Sequence, residues 1–215
     1  METVVELRGV VAVLSSFPAL AGIDLAVHRG EIVLLHGPNG AGKTSVLRVC
    51  AGLLPIERGE GSVMGVNLRT QRESVRERVG LLGHSNGLYL ELTVAQNVAF
   101  WASAVGASAQ EVALAMQQMK IDGRLTNVKA SQLSAGQRRR CALASLMVRR
   151  ASLWLLDEPH AGLDQEGRDE LDAILRTAVM SGATVILASH ETQRSRSLAT
   201  RVITVDGGLI SGSES

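Results

Sequence analysis

Aromatic residues are scarce in this sequence, where two Trp, one Tyr and two Phe make up only 2% of 215 residues. Aliphatic side chains must therefore build the core, and a surface that stacks single-stranded nucleic acid on aromatic rings is disfavoured. An excess of positive charge is also missing, because 22 Lys and Arg stand against 21 Asp and Glu. Proteins that bind DNA or RNA nonspecifically need such an excess. We therefore expect no nucleic-acid partner.

Cysteines and long apolar runs are equally limited. The two cysteines, Cys50 and Cys141, both lie in apolar helical patterns, which predicts two buried thiols and no disulfide scaffold. No apolar run approaches the roughly 18 residues of a membrane-spanning helix. The first residues, METVVELRG, lack the basic flank and apolar stretch of a signal peptide. We expect a cytoplasmic protein whose membrane role comes through partners.

Local patterns predict alternating strands and helices, as in an α/β fold with a mostly parallel sheet. Up to about Leu25, short apolar runs broken by Gly9, Pro18 and Gly22 predict short strands and turns. Further strands are expected at 31–36, 153–156 and 184–188, with a hairpin about Asp206-Gly207-Gly208. Capping-box patterns starting at Thr93, Ser108 and Ser134 predict helices near 94–105, 109–119 and 135–149.

A glycine-rich loop follows the strand at 31–36 and precedes a helical pattern. Its residues match G-x-x-x-x-G-K-[ST] at every defined position: Gly37, Pro38, Asn39, Gly40, Ala41, Gly42, Lys43 and Thr44, with Ser45 next. Such a loop turns backbone N–H groups onto phosphate oxygens at a helix N-terminus. Lys43 should reach the terminal phosphates of ATP, and the Thr44 hydroxyl should ligate Mg²⁺. The loop alone predicts a P-loop NTPase, a class that includes kinases and GTPases.

Two adjacent acids end the apolar strand at 153–156. Asp157 and Glu158 follow a buried parallel strand, whose end should lie beside the phosphate loop. Because neighbouring strand residues point in opposite directions, the two acids can take two roles. Asp157 is expected to hold Mg²⁺, and Glu158 is expected to face the attacking water.

The segment Leu133-Ser134-Ala135-Gly136-Gln137 resembles the LSGGQ signature of ABC ATPases, with alanine at the first glycine. In that resemblance Ser134, Gly136 and Gln137 bind a phosphate at a helix N-terminus. HAGLD resembles the D-loop of the same family and assigns Asp164 to the nucleotide site. His190, after the strand at 184–188, occupies the position of the switch histidine, which orients the catalytic water beside Lys43 and Glu158.

His84 falls where ABC ATPases usually carry the Q-loop glutamine, which touches Mg²⁺ or water and senses the membrane partner. Mg²⁺ prefers oxygen ligands, so metal contact by His84 stays open beside a partner-coupling role. Gly83-His84, Gly87-Leu88 and Leu92-Thr93-Val94 together resemble the heme-exporter ATPases of cytochrome c maturation. ABC ATPases usually stack an aromatic residue, located before the phosphate-loop strand, on the adenine ring. Counting along the chain places Leu14 at this position, and the nearest aromatic residue is Phe17. Phe17 is therefore a candidate for stacking on adenine, and the alternative is that it is a core residue.

The resemblance to ABC nucleotide-binding domains covers essentially the whole chain. It implies a RecA-like P-loop NTPase core with an antiparallel β subdomain, at about 1–83 and 151–215, and an inserted helical subdomain at about 84–150. It also implies ATP and Mg²⁺ as cofactors and a second ATPase subunit, either another copy of this chain or a related chain, whose signature completes the nucleotide site. Polytopic membrane subunits would hold the chain at the cytoplasmic face of the inner membrane and would contact the cargo in its place.

Three functions share these motifs. The first is the ATPase of a heme exporter for cytochrome c biogenesis, and the second is an ABC exporter ATPase for another small molecule or lipid. The third is a soluble ABC ATPase without a membrane partner, of the iron–sulfur assembly type. Translational ABC factors need two motif sets and chromosome-type ABC proteins need a long coiled coil, and the sequence has neither.

Overall fold

A computed structural model describes residues 2–15, 17–190 and 192–214 of the chain. The chain forms two compact units. The first comprises Met1–Leu81, Ser152–Pro159 and Arg176–Ser215, and the second comprises Leu82–Ala151 and His160–Leu175. This grouping assigns His160–Leu175 to the second unit, whereas the sequence-based division ends its helical subdomain near residue 150. The predicted subdomain boundaries therefore stay a prediction.

A six-stranded sheet has the strand order β10-β9-β3-β8-β7-β6. Its strands are β3 (Ile32–His36), β6 (Val79–Leu82), β7 (Leu153–Asp157), β8 (Thr184–Ala188), β9 (Arg201–Asp206) and β10 (Leu209–Glu214). The pairs β3–β8, β3–β9 and β7–β8 are parallel. All five positions of β7 and of β8 are buried, as expected for parallel strands covered on both faces. The predicted β9–β10 hairpin is confirmed, since Asp206 pairs with Leu209 in antiparallel register.

A four-stranded antiparallel sheet in the first unit has the order β2-β1-β4-β5. Its strands are β1 (Thr3–Leu14), β2 (Phe17–His28), β4 (Arg58–Val63) and β5 (Val66–Asn67). The expectation of short strands and turns up to Leu25 is wrong, because β1 and β2 are continuous over 12 residues each. A register shift between Leu7 and Val10 absorbs Gly9 as an irregularity, so this glycine bends the strand without ending it.

The six α-helices of the described residues include the three that capping boxes predict. They are α1 (Lys43–Cys50), α2 (Val94–Val105), α3 (Ala109–Gln118), α4 (Ala135–Val148), α5 (Gln165–Met180) and α6 (Thr192–Leu198). Thr93, Ser108 and Ser134 form complete capping boxes ahead of α2, α3 and α4, which confirms those helices to within a residue. Both cysteines are free and buried, as predicted. Burial raises the pKa of each thiol to about 12.

Candidate active site

The glycine loop joins β3 to α1 in the first unit, in the predicted strand–loop–helix order. Gly37 has a φ of 149°, and a Cβ built there would lie 2.0 Å from the carbonyl oxygen of Val205, so no other residue fits without a backbone shift. The loop is also fixed by the Gly208 amide, which donates to the Ala41 carbonyl at 2.9 Å. Pro38, Asn39 and Gly40 are exposed, whereas Ala41 and Ser45 are buried.

Lys43 and Thr44 begin α1 directly after this loop. The Lys43 side chain is buried, and its Nζ donates to the carbonyl oxygens of Gly37 at 2.7 Å and Pro38 at 2.9 Å. The ammonium group therefore lies within the turn of the loop. The Thr44 hydroxyl donates to Asp157 Oδ2 at 2.9 Å. Two residues that lie 113 positions apart, and that were predicted as magnesium ligands, are thus in direct contact.

Glu158 follows β7 with a left-handed φ of 48°, which is uncommon for a residue with a side chain. Its amide donates to the Ala188 carbonyl at 2.8 Å, so the turn is attached to the end of β8. The Glu158 carboxylate accepts from the His190 amide at 3.0 Å and from Ser189 Oγ at 3.2 Å, and its Oε1 lies 2.9 Å from His190 Nδ1. The two residues predicted to act on the attacking water therefore meet, with 68% of the His190 side chain exposed.

Ser189 is a member of this site that the sequence reasoning missed. Its hydroxyl holds the second carboxylate oxygen of Glu158, while its amide donates to the Leu35 carbonyl at 3.4 Å. The available signal was its position, because Ser189 is the first polar residue after β8 and directly precedes His190.

The oxygen pair of Thr44 and Asp157 fits a magnesium ion. Mg²⁺ takes oxygen ligands and is usually held by one or two protein groups together with substrate phosphates. Within residues 2–15, 17–190 and 192–214, no group of three or more His, Cys, Asp or Glu side chains is arranged to hold a metal. The Thr44 hydroxyl and the Asp157 carboxylate, beside the glycine loop, are oxygen donors of the kind that this ion prefers.

The second unit carries the signature segment at the start of α4. Ser134 Oγ accepts from the Gln137 amide at 3.2 Å, and Gln137 Oε1 accepts from the Ser134 amide at 2.9 Å. Ser134 is exposed. Its hydroxyl oxygen acts as the acceptor in the bond from the Gln137 amide, so its own O–H can still donate to an oxygen outside the chain. Gly136 lies so close to Gly162 that an added Cβ would be 2.7 Å from the Gly162 carbonyl oxygen. The signature and D-loop segments are therefore packed backbone to backbone.

Asp164 lies just before α5 in the D-loop segment. Its Oδ1 accepts from the Gly167 amide at 3.1 Å and from Arg140 Nη2 at 2.9 Å. The Gly167 N–H, and then the Arg140 guanidinium, lower the pKa of Asp164 below its ordinary value. His160, the first residue of the D-loop segment HAGLD, is 1% exposed, and its Nε2 lies 2.7 Å from Asp172 Oδ1.

His84 is exposed in the turn that follows β6, and its metal contact stays a prediction. Phe17, the aromatic residue that the sequence offers for contact with adenine, is not in the core. Phe17 is 75% exposed and Leu14 is 42% exposed, so the alternative that Phe17 is a core residue is wrong. Its position at the edge of β1 and β2, where Leu14 pairs with Phe17, keeps the ring on the surface.

This combination of a phosphate loop, two strand-end acids and a signature helix defines an ATPase of the ABC type. Residues 20–161 match the family model described as ABC transporter, and the chain belongs to the ABC transporter family. It is an ATPase subunit that binds a nucleotide. Among the described residues no helix is both long enough and apolar enough to cross a bilayer.

Curated relatives carry the name "Cytochrome c biogenesis ATP-binding export protein CcmA". The Vibrio cholerae protein is 34% identical over 86% of this chain and 90% of its own length. The Xanthomonas campestris protein is 37% identical over 88% of this chain and 87% of its own length. The Paraburkholderia xenovorans protein is 37% identical over 84% of this chain and 87% of its own length.

Solved structures of the same fold cover nearly the whole chain. An ATP-binding subunit of an ABC transporter has a TM-score of 0.91 at 23% identity, covering 99% of this chain and 90% of that one. A dimeric ATP-binding cassette in a post-hydrolysis state, bound to ADP and Pi, has a TM-score of 0.87 at 24% identity, covering 98% of this chain and 97% of that one. The RecA-like α/β fold expected from the sequence is confirmed.

Proposed function

We propose that this chain is the ATP-hydrolysing subunit of a membrane transporter that exports heme for cytochrome c biogenesis. The observation that supports the cargo is the identity of 34–37% to proteins named as cytochrome c biogenesis export ATPases, over more than four fifths of the chain. The observation that supports the chemistry is the contact of Thr44 with Asp157 beside the phosphate loop.

ATP binds at the glycine loop in this proposal. The loop amides and Lys43 hold the phosphates, and Thr44 with Asp157 would hold Mg²⁺, which would supply positive charge to offset that of the phosphates. The exposed ring of Phe17 stacks on adenine. Its support is the approach of β2 to the loop, where a Cβ on Gly42 would meet the Ala19 carbonyl oxygen at 2.9 Å.

Glu158 and His190 act on the attacking water. Glu158 polarises the water as general base, because its carboxylate is held in one orientation by Ser189 and by the His190 amide. His190 has an exposed ring that can donate a hydrogen bond to the γ-phosphate and align it with the water. Neither residue forms a covalent bond to the phosphate. Both position the reacting groups and stabilise the charge of the transition state, as phosphoryl transfer requires.

A second copy of the chain completes the site. The Ser134 hydroxyl and the N-terminus of α4, with Gly136 and Gln137, bind the γ-phosphate of the ATP held by the partner's loop, and Asp164 lies at the same dimer interface. The dimeric form of a solved cassette of this fold supports this arrangement. ATP then joins the two copies and hydrolysis separates them.

Membrane subunits couple this cycle to transport. They hold the chain at the cytoplasmic face of the inner membrane and contact the heme, while the chain itself does not. The exposed His84 senses these subunits at the position where related ATPases carry a glutamine, and a direct Mg²⁺ contact is the alternative for this imidazole.

Genetic complementation tests the proposed cargo. Deletion of the gene in its source organism should abolish heme-stained c-type cytochromes, and the wild-type chain should restore them, whereas Glu158→Gln should not. The tagged chain should also copurify with a multi-helix membrane protein. Normal c-type cytochromes in the deletion strain would contradict heme export and favour another small molecule or lipid. Recovery of an active chain without any membrane protein would favour a soluble ABC ATPase.

A further inference from the structure

Arg139 is a buried charged side chain outside the catalytic residues named above. It is 4% exposed on α4, five positions after Ser134. Its Nη1 donates to the Gly83 carbonyl at 2.9 Å and to Asn86 Oδ1 at 2.9 Å. Burying a guanidinium is costly unless hydrogen bonds compensate for lost water. The hydrogen bonds to the 83–87 turn thus replace part of the hydration that the Arg139 guanidinium loses when it is buried.

The turn at 83–87 is an irregular segment that needs support from outside. Asn86 has a left-handed φ of 41° and Gly87 has a φ of 65°, so successive residues leave the ordinary backbone regions. The Gly87 amide donates to the Ser85 carbonyl, which closes a tight local turn. His84 is exposed between the two acceptors of Arg139.

The far side of the same segment is held by another buried polar side chain. Asn97, on α2, is 1% exposed, accepts from the Tyr89 amide at 2.9 Å and donates to the Tyr89 carbonyl at 3.0 Å. The stretch from His84 to Tyr89 is therefore attached at one end to α4 and at the other to α2.

We propose that Arg139 is a positioning residue that ties the His84 turn to the signature helix, so that partner binding at His84 moves Ser134–Gln137. Arg139 and the signature share α4, a single 14-residue helix with Ser134 at its N-cap, and both acceptors are in direct contact with this helix through Arg139. A continuous helix is a rigid element that can carry a displacement from one position to another. The inference rests on the proposed transport function, because it assumes a membrane partner at His84.

The neighbouring arginine shows that the assignment is specific to one side chain. Arg138 is on the same helix, yet its Nε and Nη2 donate to the carbonyls of Ala130 and Ser131 at 3.2 and 3.3 Å. Those residues precede the signature in the chain. Arg138 therefore supports the signature locally, whereas Arg139 joins it to a segment 53 and 56 positions away.

The test compares ATPase rates of the isolated chain and of the complex purified with its membrane subunits. Arg139→Met should reduce the stimulation by the membrane subunits by about tenfold, the scale of one lost charge-assisted hydrogen bond. In the isolated chain its kcat and KM should stay within about twofold of wild type. Arg139→Lys, which keeps a charged donor, should restore part of the stimulation.

A double-mutant cycle with His84→Ala separates transmission from general damage. His84→Ala should also lose stimulation, and adding Arg139→Met should cause little further loss, because residues on one route are not additive. Asn86→Ser, which leaves the buried guanidinium in place, is the second variant if Arg139→Met does not fold. Arg150→Met is the matched control, since Arg150 makes an exposed ion pair with Glu111 and should leave stimulation unchanged.

Three outcomes would overturn the proposal. Wild-type stimulation in Arg139→Met would show that the turn does not act through this side chain. An equal loss in the isolated chain would reduce Arg139 to a structural role, and additive losses with His84→Ala would mean separate routes. If the membrane subunits fail to stimulate even the wild-type chain, the proposed transport function fails and this inference fails with it.

Discussion

The two units of the molecule hold their functional groups by different means. In the first unit, most of the hydrogen bonds that hold these groups involve backbone atoms. The Glu158 amide donates to the Ala188 carbonyl, the His190 amide donates to the Glu158 carboxylate, and Lys43 Nζ donates to loop carbonyls. In the second, three consecutive arginines on α4 reach three separate segments. Arg138 contacts 130–131, Arg139 contacts 83 and 86, and Arg140 contacts 164 and 170.

This difference matches the two proposed roles, ATP hydrolysis in the first unit and coupling to the membrane partner in the second. In the first unit, parallel strand register fixes the residues that we propose to be catalytic, and this register changes only if the sheet itself is broken. In the second unit, the arginine side chains of α4 hold the segments around the signature, and each of these hydrogen bonds can break and re-form independently of the others. We therefore expect the loss of a functional side chain of the first unit to lower turnover most, and the loss of a single supporting contact in the second unit to lower it by smaller factors.

The largest effect is expected for Glu158→Gln. The amide keeps the shape and can still bond to Ser189 and the His190 amide, but it is no longer a base. The kcat should fall by about 10² to 10⁴, while ATP binding, measured by a fluorescent analogue, should be retained. Glu57→Gln, at an exposed position of the same unit, is the control. Turnover at the wild-type rate would remove Glu158 from the mechanism.

Thr44→Val should have the next largest effect. Valine keeps the volume but loses the 2.9 Å bond to Asp157 and the hydroxyl proposed to ligate Mg²⁺. We expect kcat/KM for ATP to fall about a hundredfold, with partial recovery at high Mg²⁺ concentration. Thr44→Ser retains the hydroxyl and should stay near wild type. Equal losses in both variants would indicate that packing, not oxygen ligation, matters at this position.

Gly136→Val probes the second unit at its closest backbone approach. Its Cβ would lie 2.7 Å from the Gly162 carbonyl oxygen, so the signature and D-loop must separate. The kcat should fall about tenfold with little change in KM, because the phosphate loop is untouched. Ala135→Gly, at the exposed neighbouring position, should be nearly neutral. A wild-type kcat in Gly136→Val would contradict a role of the signature in turnover.

Glu111→Gln should have the smallest effect, and it is pH-dependent. The Ser108 amide, then the Arg150 guanidinium, lower the pKa of Glu111 from 4.5 to about 2 in the folded state. A lowered pKa stabilises the fold above pH 4.5, and this contribution is lost as the pH falls towards 2. The Tm should drop by about 1 °C or less at pH 7, since glutamine keeps the capping box. The difference should vanish near pH 2; one that persists there would contradict the charge explanation.

Much of the candidate site in the first unit could be predicted because the sequence patterns that indicate it are local in the chain. The phosphate loop, the strand ending in Asp157-Glu158 and the capping boxes each occupy a few consecutive residues, and each formed as predicted. The prediction for the opening strands is wrong because the sequence pattern treats Gly9 as a break between short strands. In the structure, a register shift in the β1–β2 pair accommodates this glycine within β1. A single glycine does not distinguish a turn from a bulge.

The contacts of the arginines on α4 could not be predicted for the opposite reason. Arg139 bonds to residues 53 and 56 positions away, and Arg140 bonds to residues 24 and 30 positions away. No local pattern distinguishes a buried arginine from an exposed one in the run Arg138 to Arg140. Their roles depend on helix packing, which brings distant segments together only in the folded chain.

A mixing experiment tests most directly whether two copies form the ATPase site. Lys43→Ala removes the phosphate contact, Ser134→Arg blocks the signature, and each variant alone should be inactive. A mixture should regain about a quarter of wild-type activity, because half of randomly paired symmetric dimers are mixed and each has one intact site. A mixture no more active than the separate variants would contradict a site shared between two copies.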